Sequence, residues 1–155
     1  MTVRYIAFAI ALVATFPASA GTSPGHWLAQ PEPDRIGLMV QMSQSCPMSQ
    51  NDVALAAMYT LYEADLEPTL LDEFPRDLFL KVWVFCGYPK EDVWPVGITV
   101  RFGMGGGQSP TLYEYPSSET VFGVEPPLVY KVVAASVRRM IGEQLEYYTQ
   151  ANYSE

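Results

Sequence analysis

The stretch that decides the fold is Leu78-Phe79-Leu80-Lys81-Val82-Trp83-Val84-Phe85-Cys86. Side chains alternate between the two faces of a sheet along a β-strand, so the even-numbered residues share one face and the odd-numbered residues share the other. Both sets are mostly apolar, with Lys81 as the exception. A strand that is apolar on both faces is typical of the centre of a sheet that is covered on both sides. We therefore predict a central strand at 78–86.

The segments on either side of this strand predict further strands. Residues 96–102 alternate in the same way and follow a loop rich in Gly and Pro, which favours an antiparallel hairpin with 78–86. Upstream, residues 36–42 also alternate and predict a strand. Downstream, 111–115 and 120–124 are short candidate strands that suggest a second hairpin, because a turn-forming stretch separates them.

Two segments predict helices. Ser49 and Asp52 have the S-x-x-D spacing of a capping box at a helix start. Apolar residues then recur at helical spacing and predict one buried stripe, formed by Leu55, Met58, Tyr59, Tyr62 and Leu66. Pro68 is expected to end this helix, and 70–77 is interpreted as an acidic linker. The second helix is expected to open at Pro126-Pro127 and run to the C-terminus.

This order of elements predicts an α+β fold, in which a small, mostly antiparallel sheet carries two helices packed on one face. We assign residues 36–155 to a single α+β domain. Residues 21–35 contain three prolines and are interpreted as an irregular leader. Within that leader, the apolar interruption at 26–28 is expected to pin the segment to the domain.

The N-terminus carries the features of a secretory signal peptide at 1–20. Arg4 supplies the positive charge, 6–16 is apolar or small, and Ala18-Ser19-Ala20 has the A-x-A form of a cleavage site. The apolar run is shorter than the roughly 20 residues that span a bilayer. We therefore expect a periplasmic or secreted protein without a membrane span.

The charge of the chain excludes some classes of partner. The formal net charge is −8, and such an acidic surface repels nucleic acid and anionic lipid. The expected partner is another envelope or secreted protein, and a basic protein is one candidate. The sequence leaves the oligomeric state open.

The two cysteines, Cys46 and Cys86, are best interpreted as one disulfide, because thiols oxidise in an exported protein. Such a bond contributes roughly 3–4 kcal/mol in the chain-entropy model. A redox or metal site is the alternative, but the sequence has no C-x-x-C. Structural zinc needs four ligands, and His26 is the only histidine. We predict no metal and no cofactor. We also predict no catalytic residue, since a nucleophile needs an activating base and His26 lies in the leader.

The acidic residues form one candidate patch between the first helix and the central strand. Its members are Glu63, Asp65, Glu67, Asp72 and Glu73. Carboxylates at a helix end and in a linker are typical of a solvated surface. In the alternative interpretation, two of them serve as the carboxylate pair of a glycan hydrolase.

Aromatic residues in loops or at strand ends form a second candidate site. Tyr and Trp favour interfaces because their rings are apolar at one end and polar at the other. Trp94, Tyr113, Glu114 and Tyr115 are therefore our candidates for contact with a partner.

The leading hypothesis is an exported, non-enzymatic protein-binding or accessory protein, either an inhibitor or immunity-like protein or an envelope-assembly factor. Two alternatives remain. One is a carboxylate-based hydrolase acting on glycan. The other is a carrier of a small ligand, with a pocket between the sheet and the helices that is lined by Phe79, Trp83 and Phe85.

Overall fold

The computed structural model describes residues 27–71, 77–105 and 111–153, apart from the side chains of 114–116. The predicted signal peptide at 1–20 lies outside the described residues. The strands are β1 Arg35–Met42, β2 Glu67–Leu70, β3 Leu78–Cys86, β4 Trp94–Met104 and β5 Thr111–Val124. The helices are α1 Gln50–Tyr62 and α2 Val129–Tyr153, and a 3-10 turn at Pro126–Leu128 precedes α2.

The strands form one five-stranded sheet in the order β2-β1-β3-β4-β5, so β3 is central, as predicted. The longest strands, β3, β4 and β5, pair antiparallel, whereas β1 runs parallel to both of its neighbours. The sheet is therefore mixed. The prediction of an α+β fold with two helices and a disulfide is confirmed.

Both helices pack on one face of the sheet, which we call the covered face. It carries the even-numbered residues of β3, and those side chains form a single apolar core with the helices. Members with little or no exposure include Val82 and Val84 from β3, Phe102 from β4, Leu61 from α1, and Val137, Met140 and Tyr148 from α2. This core is what stabilises the domain, because burial of apolar surface is the main driving force of folding.

The start of α1 is confirmed and its end is not. The Ser49 side chain accepts from the backbone N–H of Asp52, and the Asp52 side chain accepts from that of Ser49, which completes the capping box. The helix ends at Tyr62, before Pro68 is reached. Asp65 has a left-handed backbone (φ 58°) and the N–H of Leu66 donates to the carbonyl of Leu61 at 3.0 Å, which closes the last turn.

The buried side of α1 differs from the prediction. Val53, Ala57 and Leu61 are buried, whereas Leu55 and Tyr59 are more than half exposed. Alanines on the buried side let the helix lie close to the sheet and α2. Both sides of α1 are apolar, so periodicity alone selected the wrong one.

Two strand assignments also change. The predicted second hairpin is wrong, because β5 is one strand along β4. The register shifts between the pairs Arg101–Ser117 and Gly103–Leu112. Pro116, which has no N–H to donate to a ladder, lies in the stretch of β5 between these two pairs. β2 was missed, and it pairs with β1 at the edge of the sheet.

The disulfide between Cys46 and Cys86 is present, with the two Cα atoms 5.0 Å apart. It joins the loop before α1 to the end of β3. The backbone N–H of Cys86 also donates to the Ser43 hydroxyl at 2.9 Å. The disulfide therefore fixes the loop before α1 to the end of β3 on the covered face.

The described part of the leader lies against the domain. Leu28 is fully buried, and its carbonyl accepts from the Asn152 side chain at 2.9 Å. Trp27 stacks on Tyr113 with ring centroids 3.7 Å apart. The Tyr148 hydroxyl donates to the carbonyl of Pro33 at 2.8 Å. Neither helix in the described ranges is both long enough and apolar enough to cross a membrane.

Candidate functional site

The candidate site is the other face of the sheet, which we call the open face. It carries the odd-numbered residues of β3 and the residues that lie opposite them on β1, β4 and β5. Its rows across the strands are Gly37, Phe79, Gly103 and Leu112; Met39, Lys81, Arg101 and Ser117; Gln41, Trp83, Thr99 and Glu119; and Phe85, Gly97 and Val121.

The first row of the open face is buried, because its own side chains fill the space above the strands. Phe79 is fully buried between Gly37 and Gly103. A Cβ at Gly103 would lie 2.6 Å from Cζ of Phe79 and 2.8 Å from Cδ2 of Leu112. The ring of Phe79 therefore occupies the space that a side chain at Gly103 would need. This end of the face is part of the folded interior.

The far end of the open face is apolar and exposed. Trp83 is 48% exposed, Phe85 50% and Val121 76%. The rings of Trp83 and Phe85 lie 6.5 Å apart, and Gly97 sits between Phe85 and Val121 in the strand register. The prediction that β3 is covered on both sides is wrong for this end of the strand, because both helices pack on the covered face. Contiguous exposed apolar side chains of this kind mark interaction sites.

Two cations lie side by side between these two ends. Lys81 and Arg101 are directly opposite each other on β3 and β4, and like charges in such a pair are destabilising. Partial burial lowers the pKa of Lys81. A carboxylate oxygen of Glu119 lies 3.9 Å from Nη2 of Arg101.

Arg101 also carries an unsatisfied donor. Its Nε is buried and has no hydrogen-bond partner among the described residues. Leaving such a donor unpaired is costly, more so for a charged group. The Arg101 side chain as a whole is 32% exposed, so the accessible part of its guanidinium, next to Lys81, suits a partner that brings carboxylate or hydroxyl oxygens.

The groove on this face is small. Its volume is about 200 Å³, below the roughly 300–1,000 Å³ of typical ligand pockets. The lining residues are Lys81, Trp83, Thr99, Arg101, Leu112 and Glu119. The pocket predicted between the sheet and the helices is not formed by Phe79, Trp83 and Phe85, because all three lie on the open face. The dimensions favour a protein surface over a small ligand.

The predicted contact residues lie elsewhere. Trp94 is partly buried against the core, at the first residue of β4. Tyr113 is also partly buried and stacks on Trp27, near the opposite end of β4. Glu114 and Tyr115 belong to β5, and their side chains lie outside the described residues. The structure does not bring Trp94 and Tyr113 together, and their role in partner contact stays a prediction.

The described acids of the predicted patch follow α1. Glu63, Asp65 and Glu67 are all exposed, whereas Asp72 and Glu73 lie outside the described residues. Asp65 forms the left-handed turn that ends the helix. Among the residues that the structure describes, no group of His, Cys, Asp or Glu could hold a metal ion. These three carboxylates therefore form a solvated surface beside α1.

Sequence reasoning named Trp83 and Phe85 but placed them in the wrong environment, and it missed Arg101 and Val121. The available signal was the predicted hairpin between 78–86 and 96–102. Extending its pairing would have placed Arg101 beside Lys81 on one face.

Comparison with known proteins identifies the fold only. No protein-family model matches the chain, and no curated protein is significantly similar to it. Among solved structures, a PelC variant dodecamer from Paraburkholderia phytofirmans is similar at 13% identity, with 81% of this chain and 92% of that chain covered and a TM-score of 0.50.

Two lipoprotein structures align less closely. A minor lipoprotein from Acinetobacter baumannii has 10% identity, covers 77% of this chain and 96% of its own, and gives a TM-score of 0.38. The rare lipoprotein B from Shewanella oneidensis has 10% identity, covers 71% and 94%, and gives a TM-score of 0.35. At these identities, function does not follow from the likeness.

Proposed function

We propose that this chain is an exported, non-enzymatic accessory protein that binds another protein through the open face. The observation that carries the proposal is the contrast within β3. Val82 and Val84 are fully buried, whereas Trp83 and Phe85, on the same strand, are about half exposed. Their exposure leaves apolar area in water that a partner would remove, which favours association.

The side chains present are those that dominate protein interfaces. Trp, Tyr and Arg are enriched among the residues that contribute most to binding. The open face places Trp83 one row from Arg101, with Phe85 and Val121 in the next row. A partner that covers Trp83 and supplies an acceptor to the exposed part of the Arg101 guanidinium would gain apolar burial and a charge-assisted hydrogen bond together.

The proposed compartment rests on the sequence and is supported by the disulfide. Disulfides persist in oxidising compartments, and Cys46 and Cys86 are paired. Intact mass of the protein recovered from the periplasm should lack residues 1–20 and show no thiol that reacts with maleimide before reduction. A chain of full length with two reactive thiols would contradict export.

Between the two forms of accessory role, the open face favours an envelope-assembly factor. An inhibitor or immunity-like protein that covers a basic target would use an acidic surface. The open face instead presents Lys81 and Arg101, which suit a partner with carboxylates. The fold is similar to that of PelC, which was solved as a dodecamer, so self-assembly is one form that this binding can take.

The test is a comparison of two double variants. Trp83→Ser with Val121→Ser removes apolar area from the open face. Leu128→Ser with Tyr130→Ser removes exposed apolar side chains at the start of α2, and it serves as the matched control. A tagged wild-type chain and the control should recover the same protein from the periplasm, and the open-face variant should recover at least tenfold less. Equal recovery by all three would contradict the proposal.

A further inference from the structure

We infer that the open face binds a second copy of this chain, and that it contacts the exposed apolar side of α1. The inference rests on the proposed function and names its partner. The contact surface on α1, which we call the α1 stripe, consists of Leu55, Tyr59 and Tyr62.

The α1 stripe is an apolar surface that the fold leaves uncovered. Leu55 is 53% exposed, Tyr59 59% and Tyr62 52%. The helical repeat places these residues on one side of α1, opposite Val53, Ala57 and Leu61, which face the core. The exposed patch and the buried patch are therefore on opposite sides of the same helix.

The stripe and the open face lie on opposite sides of the domain. α1 packs on the covered face of the sheet, so its outward side points away from the open face. Each copy then presents one apolar surface at each side. Two such copies can stack with the stripe of one on the open face of the next.

The charges of the two surfaces are complementary. Between Arg35 and Arg76 the sequence has no Lys, Arg or His. The charged side chains described in the segment 36–71, which contains α1, are all acids, namely Asp52, Glu63, Asp65 and Glu67. The open face has Lys81 and Arg101 at its middle. Tyrosine hydroxyls of the stripe, or carboxylates from the same segment, can supply acceptors to the exposed part of the Arg101 guanidinium.

This complementarity favours a head-to-tail contact over a symmetric one. Two open faces packed on each other would bring the Lys81 and Arg101 rows together, and like charges across an interface are costly. A contact between two different surfaces leaves one of each unused on every dimer. Such contacts continue into a ring or a filament.

The experiment disrupts the open face and the α1 stripe in two separate variants and then mixes the two purified proteins. The open-face variant is Trp83→Ser with Val121→Ser, and the stripe variant is Leu55→Ser with Tyr59→Ser. The control is Leu128→Ser with Tyr130→Ser. Each is purified from the periplasm, checked for wild-type thermal unfolding, and measured by size-exclusion chromatography with light scattering.

The wild type and the control should self-associate as concentration rises. Each single-surface variant should elute at the mass of one chain. An equimolar mixture of the two variants should form a dimer of twice that mass, because one variant keeps its stripe and the other keeps its open face. A symmetric contact cannot be rescued in this way.

Three results would overturn the inference: a monomeric wild type at its highest soluble concentration, self-association that survives in the stripe variant, or a mixture that stays monomeric. Loss of capture from the periplasm by the open-face variant alone, with a monomeric wild type, would reject the second copy as the partner and leave the proposed function standing. Capture that is unaffected by the open-face variant would reject both.

Discussion

The two faces of β3 have similar composition and opposite environments. Val82 is fully buried and Trp83, its neighbour in the chain, is 48% exposed. Both belong to a strand whose pattern suggests cover on each side. The difference arises because α1 and α2 pack together on one face. An apolar alternation thus identifies which residues share a face, whereas the path of the other elements determines which face meets solvent.

The largest expected difference is in the free energy of unfolding when a phenylalanine is replaced on the covered face and on the open face. Phe102→Ala, on the covered face, should lower the free energy of unfolding by about 3–5 kcal/mol, since it leaves a cavity in the core. Phe85→Ala, on the open face, should cost about 1 kcal/mol, because that ring is already half exposed. Urea denaturation of both variants measures the difference. The measurement is made at a concentration where the chain is monomeric, and equal losses there would contradict the exposure of Phe85.

The disulfide on the covered side should stabilise the domain nearly as much as the ring of Phe102 does. Cys46 and Cys86 are separated by 40 residues, and closing a loop of that length is worth roughly 3–4 kcal/mol. The variant with both cysteines replaced by serine should lose this amount in denaturation. Reduction of the wild type should give the same loss. A change below about 1 kcal/mol would contradict a bracing role.

A smaller loss of stability should distinguish the buried first row of the open face, which contains Phe79 and Gly103, from its exposed rows. Gly103→Ala should destabilise by about 1–3 kcal/mol, because the new methyl group would overlap Phe79. Gly97→Ala, on the same strand and face, is the matched control. Its Cβ would lie 3.9 Å from Cγ2 of Val121, so no loss is expected. Melting temperatures that fall equally would contradict the proposed fit around Phe79.

The smallest effect tests the contact between α2 and the leader. Burial, followed by the charges of Tyr153 and Asp34, raises the pKa of Tyr148 to about 12. From about pH 10 to 12 the unfolded chain loses this proton before the folded chain does, so stability falls as pH rises. Tyr148→Phe should make that decline shallower and cost about 1 kcal/mol near neutral pH, through the lost hydrogen bond to Pro33. Thermal unfolding of the wild type and of Tyr148→Phe is measured at increasing pH. Equal slopes of stability against pH in the two proteins would contradict this expectation.

The features that short stretches of sequence predicted correctly are those that depend mainly on residues close together in the chain. The capping box of Ser49 and Asp52 depends on residues three apart, and its prediction is confirmed. The central position of β3 was readable because nine consecutive residues carry the pattern. The cysteine pair was predicted from its number and compartment.

Features set by tertiary contacts were not readable in this way. α1 has two apolar sides, and only its approach to α2 decides that Ala57 is buried and Tyr59 is not. β2 contains Pro68 and has four residues, so its pattern is too short to stand out. The open face depends on register, which places Arg101 beside Lys81 and Val121 beside Gly97. Such pairings join residues that are distant in the chain.

We propose that the exposed rows of the open face bind protein. The most direct measurement is photo-crosslinking from benzoylphenylalanine placed at position 121 of the exported chain, with position 130 as the control. Both positions are more than half exposed, at 76% and 52%, but only position 121 is on the open face. We expect a discrete protein adduct from position 121 that is absent from position 130. An exposed position 121 that gives no adduct, or the same adducts as position 130, would contradict it.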